Sequence, residues 1–165
     1  MSNTGHLNTG SQMSDTFMSP QALLEHLQGH RGLSRRVIDA FPDEQLFTYA
    51  VGGMRPFGEL ALEMVNMSAP MVRGIADGTW DYAPRKTRSK SELVELWDES
   101  TAVMDRLWPQ IPASKFAQTI TAFGSFTGPA WSLVMYVIDN EIHHRGQGYV
   151  YLRSLGISPP PFYER

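Results

Sequence analysis

Residues 127–156, TGPAWSLVMYVIDNEIHHRGQGYVYLRSLG, decide the fold. Trp131, Val134, Met135, Ile138, Ile142, Tyr149 and Leu152 recur at three- and four-residue spacings, which lays an apolar stripe along a single long helix. Thr127 is the expected N-cap, Pro129 falls in the first turn where its missing N–H costs nothing, and Gly156 can take the left-handed conformation that closes a helix. The prolines at 159–161 bar continuation. In the middle turn the apolar pattern breaks. Asp139, Asn140, Glu141, His143, His144, Arg145 and Gln147 form the densest polar cluster of the chain. Asp139/His143 and Asn140/His144 stand at i, i+4, so each pair shares one face about one turn apart, as two ligands of one ion require. The same turn also reads as a hydrogen-bonded patch facing solvent or a second chain.

Three further helices precede this one. Ser19 and Pro20 open the first, and Leu23, Leu24, Leu27, Leu33, Val37, Ile38 and Phe41 carry its apolar stripe to Pro42, with Gly29 and Gly32 as points of weakness. Residues 43–54, with Phe47 and Tyr49, form an ordered connection. Residues 55–78 give a second helix, apolar on most sides, in which Pro70 is expected to produce a kink or local irregularity. Glu59, Glu63 and Asn66 line up on it at i, i+4, i+7, either as a solvent-facing stripe or with Glu63 pointing into the bundle as a ligand. In the loop at 79–88, Trp80 and Tyr82 are expected to cover the bundle end, and the run Arg85, Lys86, Arg88, Lys90 reads as solvated. Ser89 then caps a third helix, and Glu92 completes the capping-box pattern before Leu93, Leu96, Trp97, Val103, Met104, Leu107 and Trp108. A long connection, 112–126, follows; Phe116, Ile120, Phe123 and Phe126 pin it, and 119–121 is a candidate extended piece.

These elements define an all-α chain, a four-helix bundle with a long connection before the last helix, and no alternating pattern supports a sheet. Residues 1–16 read as a disordered N-terminal segment and 17–165 as the bundle domain, with the closing PPPFYER as an arm anchored by Phe162 and Tyr163. The chain of 165 residues is long enough for one core without staples, and it has no cysteine, which excludes disulfides, thiolate metal sites and a cysteine nucleophile. A net charge of −3 with scattered cations leaves no nucleic-acid footprint. No run of about 18 apolar residues and no leader pattern is present, so a soluble, cytoplasmic protein is expected, with no membrane partner.

A site between helices needs inward polar groups from at least two of them. Glu63 with Asn140 and His144 would supply these, and carboxylate and imidazole suit a divalent transition metal, Zn²⁺ or Ni²⁺, while the neutral Asn amide binds weakly. At residues 142–157, IHHRGQGYVYLRSLGI, the sequence resembles the DinB/YfiT family of metal-dependent four-helix-bundle proteins, named for damage-inducible genes. His144-Arg145-Gly146-Gln147 and Leu152-Arg153-Ser154-Leu155-Gly156 carry the likeness, and Gly58-Glu59-Leu60-Ala61 is similar to the family's second helix. The resemblance implies a triad of one His on the second helix and two on the fourth. Here those positions fall on Glu63, Asn140 and His144, so two of three ligand types are altered. That implies a weaker site, recruitment of Glu141 or His143, a different metal, or none. Arg145 and Gln147 are expected to support packing and hydrogen bonds around the ligands.

The resemblance also implies thiol-dependent transferase or isomerase chemistry in stress or detoxification, with an external low-molecular-weight thiol such as bacillithiol or mycothiol. The competing expectation is a metal-free helical scaffold or small-ligand binding protein. A homodimer is expected in either case.

Overall fold

Ser19 opens the first helix by accepting the Ala22 amide on its hydroxyl at 3.1 Å, with Pro20 in the first turn. The computed structural model describes residues 17–165, and the expectation for residues 1–16 lies outside them. Helix α1 (Pro20–Ala40) runs unbroken through Gly29 and Gly32. It is followed by the single turn α2 (Asp43–Leu46), then α3 (Phe57–Asp77) and α4 (Lys90–Leu107). Two 3-10 turns (Trp108–Gln110 and Ala113–Ala117) and a hairpin of β1 (Thr119–Ala122) and β2 (Phe126–Pro129) lead into α5 (Ala130–Ser154). The four long helices form the bundle, with α3 packed mainly on α4 and α5, and α1 on α5 and α4.

The interior is apolar at both ends and polar in the middle. One core includes Leu27, Val72, Ile75, Met104, Trp108 and Ile138, and the other includes Val37, Phe57, Met64, Leu93, Trp97 and Tyr151. On each helix the buried polar residues fall between the two sets: Arg31 and Ser34 on α1, Ser68 on α3, Ser100 on α4, and Glu141 and Arg145 on α5. All are less than 7% exposed, so their hydrogen-bonding needs must be met from within the protein.

Several local expectations require correction. The last helix begins at Ala130 rather than at a Thr127 cap, because Thr127 belongs to β2 and pairs with Thr121. Their hydroxyls lie 2.8 Å apart, and Gly124, with φ +69°, makes the turn possible. A short hairpin therefore stands where no sheet was expected. Helix α3 continues through Pro70 to Asp77 and ends at Gly78 in the left-handed conformation. The capping box at α4 is only half made. Ser89 accepts the Glu92 amide, but its own N–H goes to the Thr87 hydroxyl at 2.9 Å, and the Glu92 carboxylate accepts from Thr87. In the C-terminal arm, Phe162 and Tyr163 are 71% and 69% exposed and anchor nothing. Arg165 against His30 and the Glu164 carbonyl against Arg36 hold it instead. As expected, Gly156 (φ +77°) ends α5, where the Ile157 amide reaches back to the Leu152 carbonyl.

Gly148 sets how closely α5 approaches α3. A Cβ there would stand 2.6 Å from Cε2 of Phe57, a ring that is fully buried and cannot withdraw. Helix propensity favours Ala over Gly by about 1 kcal/mol, whereas overpacking a well-filled core costs about 1–3 kcal/mol. Gly148→Ala should therefore lower stability in urea denaturation, while the same change at Gly146, which has open space around it, should raise it.

Candidate functional site

The polar turn of α5 sends neighbouring residues to different sides of the helix, because successive side chains are about 100° apart. Asn140 and His144 face α3, where Glu63 meets them. The carboxylate Oε1 of Glu63 lies 2.9 Å from His144 Nε2 and 3.3 Å from Asn140 Nδ2, and Asn140 Nδ2 lies 3.2 Å from His144 Nε2. Sequence reasoning thus named three residues that the fold brings together. Since an ionised carboxylate only accepts, His144 uses this contact with Nε2 protonated. Asn140 then donates to Glu63 as well, and its approach to the ring is a contact between two donors.

The fourth member was not anticipated. Arg55, on the loop entering α3, places Nη2 2.7 Å from Glu63 Oε2. Burial would push the Glu63 carboxyl up, but donation from His144, Arg55 and Asn140 outweighs it and holds the group below the usual carboxylate range. Glu63 is 32% exposed and His144 7%, so the carboxylate forms the wet edge of the site and the imidazole its buried side. Nδ1 of His144 is buried without a hydrogen-bond partner.

Glu63 also lines an open cleft of about 480 Å³ between α3 and the loop before α4. Its rim carries Arg55, Arg85, Lys86 and Arg88 against Glu59 and Glu63. Glu59 takes Arg88 at 2.6 Å, and Asn66 is bonded twice to the Arg85 backbone, at 3.0 and 2.8 Å. Glu59 and Asn66 thus organise the basic loop, while Glu63 between them turns to Arg55 and α5. Nothing in the loop's sequence signals this, since its partners Asn66 and Glu59 lie nineteen and twenty-nine positions away.

The remaining candidates lie elsewhere. Glu141 is fully buried on another face, accepting from Ser34 at 2.7 Å with Arg31 and Arg145 at 3.6 and 3.7 Å. Burial pushes its carboxyl up, against the pull of Arg31, Ser34 and Arg145. Arg145 bonds Ser34 at 2.9 Å and His30 rather than the Glu63 cluster. His143 is exposed and pairs with Gln147 at 2.9 Å.

As arranged, these donors do not fit a divalent ion. The set holds one carboxylate, one imidazole and one neutral amide; both carboxylate oxygens already accept from N–H donors, and one of these is a guanidinium that would repel a cation. Among the described residues no group of three His, Asp or Glu side chains is placed to hold a metal. Nor is any described helix long and apolar enough to cross a membrane.

A helical bundle with a polar cluster joining α3 to α5 beside an open cleft is the class that fold and site define. The DinB family model matches residues 13–165, and the chain belongs to the DinB family. No curated protein sequence matches it. Solved structures share the fold at low identity. A DinB-like protein from Bacillus cereus ATCC 10987 is 19% identical with a TM-score of 0.74, covering 90% of this chain and all of its own. One from Bacillus subtilis is 17% identical with a TM-score of 0.70, covering 87% of this chain and 98% of its own. A variant of mycothiol-dependent maleylpyruvate isomerase is 15% identical with a TM-score of 0.61, over 84% of this chain and 68% of its own.

The lowered Glu63 value carries a pH signature. A carboxyl whose folded pKa lies below its unfolded value, about 4.3, stabilises the fold above that value and loses the contribution as pH falls through the folded one. Glu63→Gln should therefore be less stable than the wild type at pH 7, with the gap closing below about pH 4. Chemical denaturation of both proteins across pH 3–8 checks this, and a pH-independent gap would contradict it.

Proposed function

We propose that this protein handles a small polar molecule in the cleft above Glu63 without a divalent ion, with Arg55 supplying the positive charge that a metal would bring. The observation that carries this reading is the carboxylate engaged by three N–H donors: Arg55 on Oε2, His144 and Asn140 on Oε1. A carboxylate held this way is a weak base that fixes Arg55 and His144 in place beside the cleft. The rim of four cations against two carboxylates favours a ligand that carries negative charge. With the fold of a DinB-type enzyme, the cleft is the place for any chemistry on that ligand, in the cytoplasm.

The metal-dependent alternative keeps one favourable observation. The three converging groups stand 2.9–3.3 Å apart, close enough to share an ion if Arg55, which is 49% exposed, swings away and the Asn140 amide turns. Under that reading Zn²⁺ or Ni²⁺ would bind Glu63, Asn140 and His144 and supply Lewis acidity for thiol-dependent transfer. The likeness in fold to a mycothiol-dependent isomerase supports it by analogy only.

Elemental analysis of untagged protein, prepared without chelator, separates the two. Wild type should carry substoichiometric metal and show no thermal shift with Zn²⁺ or Ni²⁺, whereas Arg55→Ala should gain a shift that His144→Ala abolishes. Stoichiometric metal in wild type, lost in His144→Ala, would overturn the proposal.

Pairing of two chains is proposed through the exposed side of α5, where Trp131, Ile142 and Val150 are 51%, 41% and 54% exposed. Light scattering at micromolar concentration should then report a dimer that Trp131→Arg converts to a monomer.

A further inference from the structure

On the side of α5 away from Asn140 and His144, a second cavity of about 550 Å³ opens between α1, α5 and the C-terminal arm. It is walled by His30, Arg145, Tyr149, Arg153 and Arg165, together with Ile142, Phe162 and the prolines at 159–161. Three guanidinium groups line it and no Asp or Glu side chain does. Arg145 is 6% exposed and set against Glu141 at 3.7 Å, so the charge left for a ligand is that of Arg153 and Arg165.

The hydrogen-bond arithmetic around His30 does not close. Arg145 Nη2 lies 2.9 Å from Nδ1, and Arg165 Nη1 lies 2.8 Å from Nε2. Arginine only donates, and a neutral imidazole offers a single acceptor nitrogen. One of the two guanidinium groups therefore points an N–H at another N–H. Protonating the ring would remove the last acceptor, and burial together with Arg145, His26 and Arg165 lowers the His30 pKa to about 4, so the ring stays neutral at pH 7. Beside it, the Tyr149 hydroxyl is buried without a hydrogen-bond partner, and the Arg153 guanidinium lies 5.6 Å from the centre of the Tyr149 ring. The site thus holds donors in excess of acceptors at one end. Its other walls are proline, isoleucine and phenyl surface.

We propose that this cavity is a second binding site, separate from the Glu63 cleft, for a small organic acid with an apolar body and one carboxylate. The carboxylate would accept charge-assisted hydrogen bonds from Arg165 and Arg153 and a further one from the Tyr149 hydroxyl. The apolar body would lie against the prolines and Phe162. The volume lies within the range of small-molecule sites, and the arm from Ile157 onward is the part of the wall that the ligand would order. This inference does not depend on whether the Glu63 site takes a metal.

Benzoate is a suitable probe, with inorganic phosphate as the anion lacking an apolar body. Calorimetric titration of the full chain should show saturable benzoate binding, and amide shifts in ¹H–¹⁵N spectra should cluster at Tyr149, Arg153 and 162–165. Arg153→Gln and Arg165→Gln, both at the surface end of the site, should each weaken benzoate about tenfold, the loss expected for one charge-assisted hydrogen bond. The proposal is overturned if wild type shows no saturable binding, if both variants bind as wild type does, or if the shifts cluster at 85–88. Phosphate binding as tightly as benzoate would also overturn it, since the apolar wall would then contribute nothing.

Discussion

The bundle depends on one carboxylate that no solvent reaches. Glu141 sits at mid-height among all four long helices, and its charge is tolerable only because Arg31 and Arg145 flank it and Ser34 donates to it. Moving an ion from water to the interior costs several kcal/mol even after relaxation, so the surrounding groups must be held in place. Arg31 is held from every side: by Ser68 of α3, by Thr101 and the Trp97 carbonyl of α4, and by the Trp97 ring 3.7 Å from its guanidinium carbon. Apolar side chains above and below could slide past one another at modest cost. A charged layer cannot, so it fixes the axial register and rotation of each helix.

That register is what aims the candidate site. Glu141 and Arg145 are the immediate sequence neighbours of Asn140 and His144, so pinning the first pair inward on α1 turns the second pair toward α3. The Glu63 cluster and the buried layer are two faces of one turn of α5. Gly148, one turn further on, lets the backbone close on Phe57 so that the side chains can meet across the gap.

How much of this the sequence disclosed follows from the range of each interaction. Ser19, Ser89 and Gly156 act within a few residues, and their caps were legible, as were the four long helices whose periodicity repeats over several turns. Glu63, Asn140 and His144 were also found, because a polar residue inside an apolar pattern is conspicuous. What could not be read was pairing at a distance. Arg55 read as the first residue of the second helix, and nothing nearby in sequence showed that it would close on Glu63. Glu141, a possible substitute ligand in the sequence, is drawn the other way by Arg31, which lies 110 positions earlier. The extended piece at 119–121 was legible as β1, but its partner strand was not, because four residues are too few for alternation to show. In the arm, hydrophobicity suggested Phe162 and Tyr163 as anchors, but backbone and guanidinium contacts hold it instead.

The polar layer also bears on the order in which the chain can be assembled. Ser34 and Glu141 are 107 positions apart, so the first helix carries its half of the layer long before the last helix has been synthesised. Until α5 emerges, Arg31 has no carboxylate to meet, and packing α1 against α3 and α4 would bury an uncompensated cation. The ribosome therefore releases a chain whose first three helices have reason to stay loosely associated. Completion of the final helix, rather than gradual accretion from the N-terminus, closes the structure.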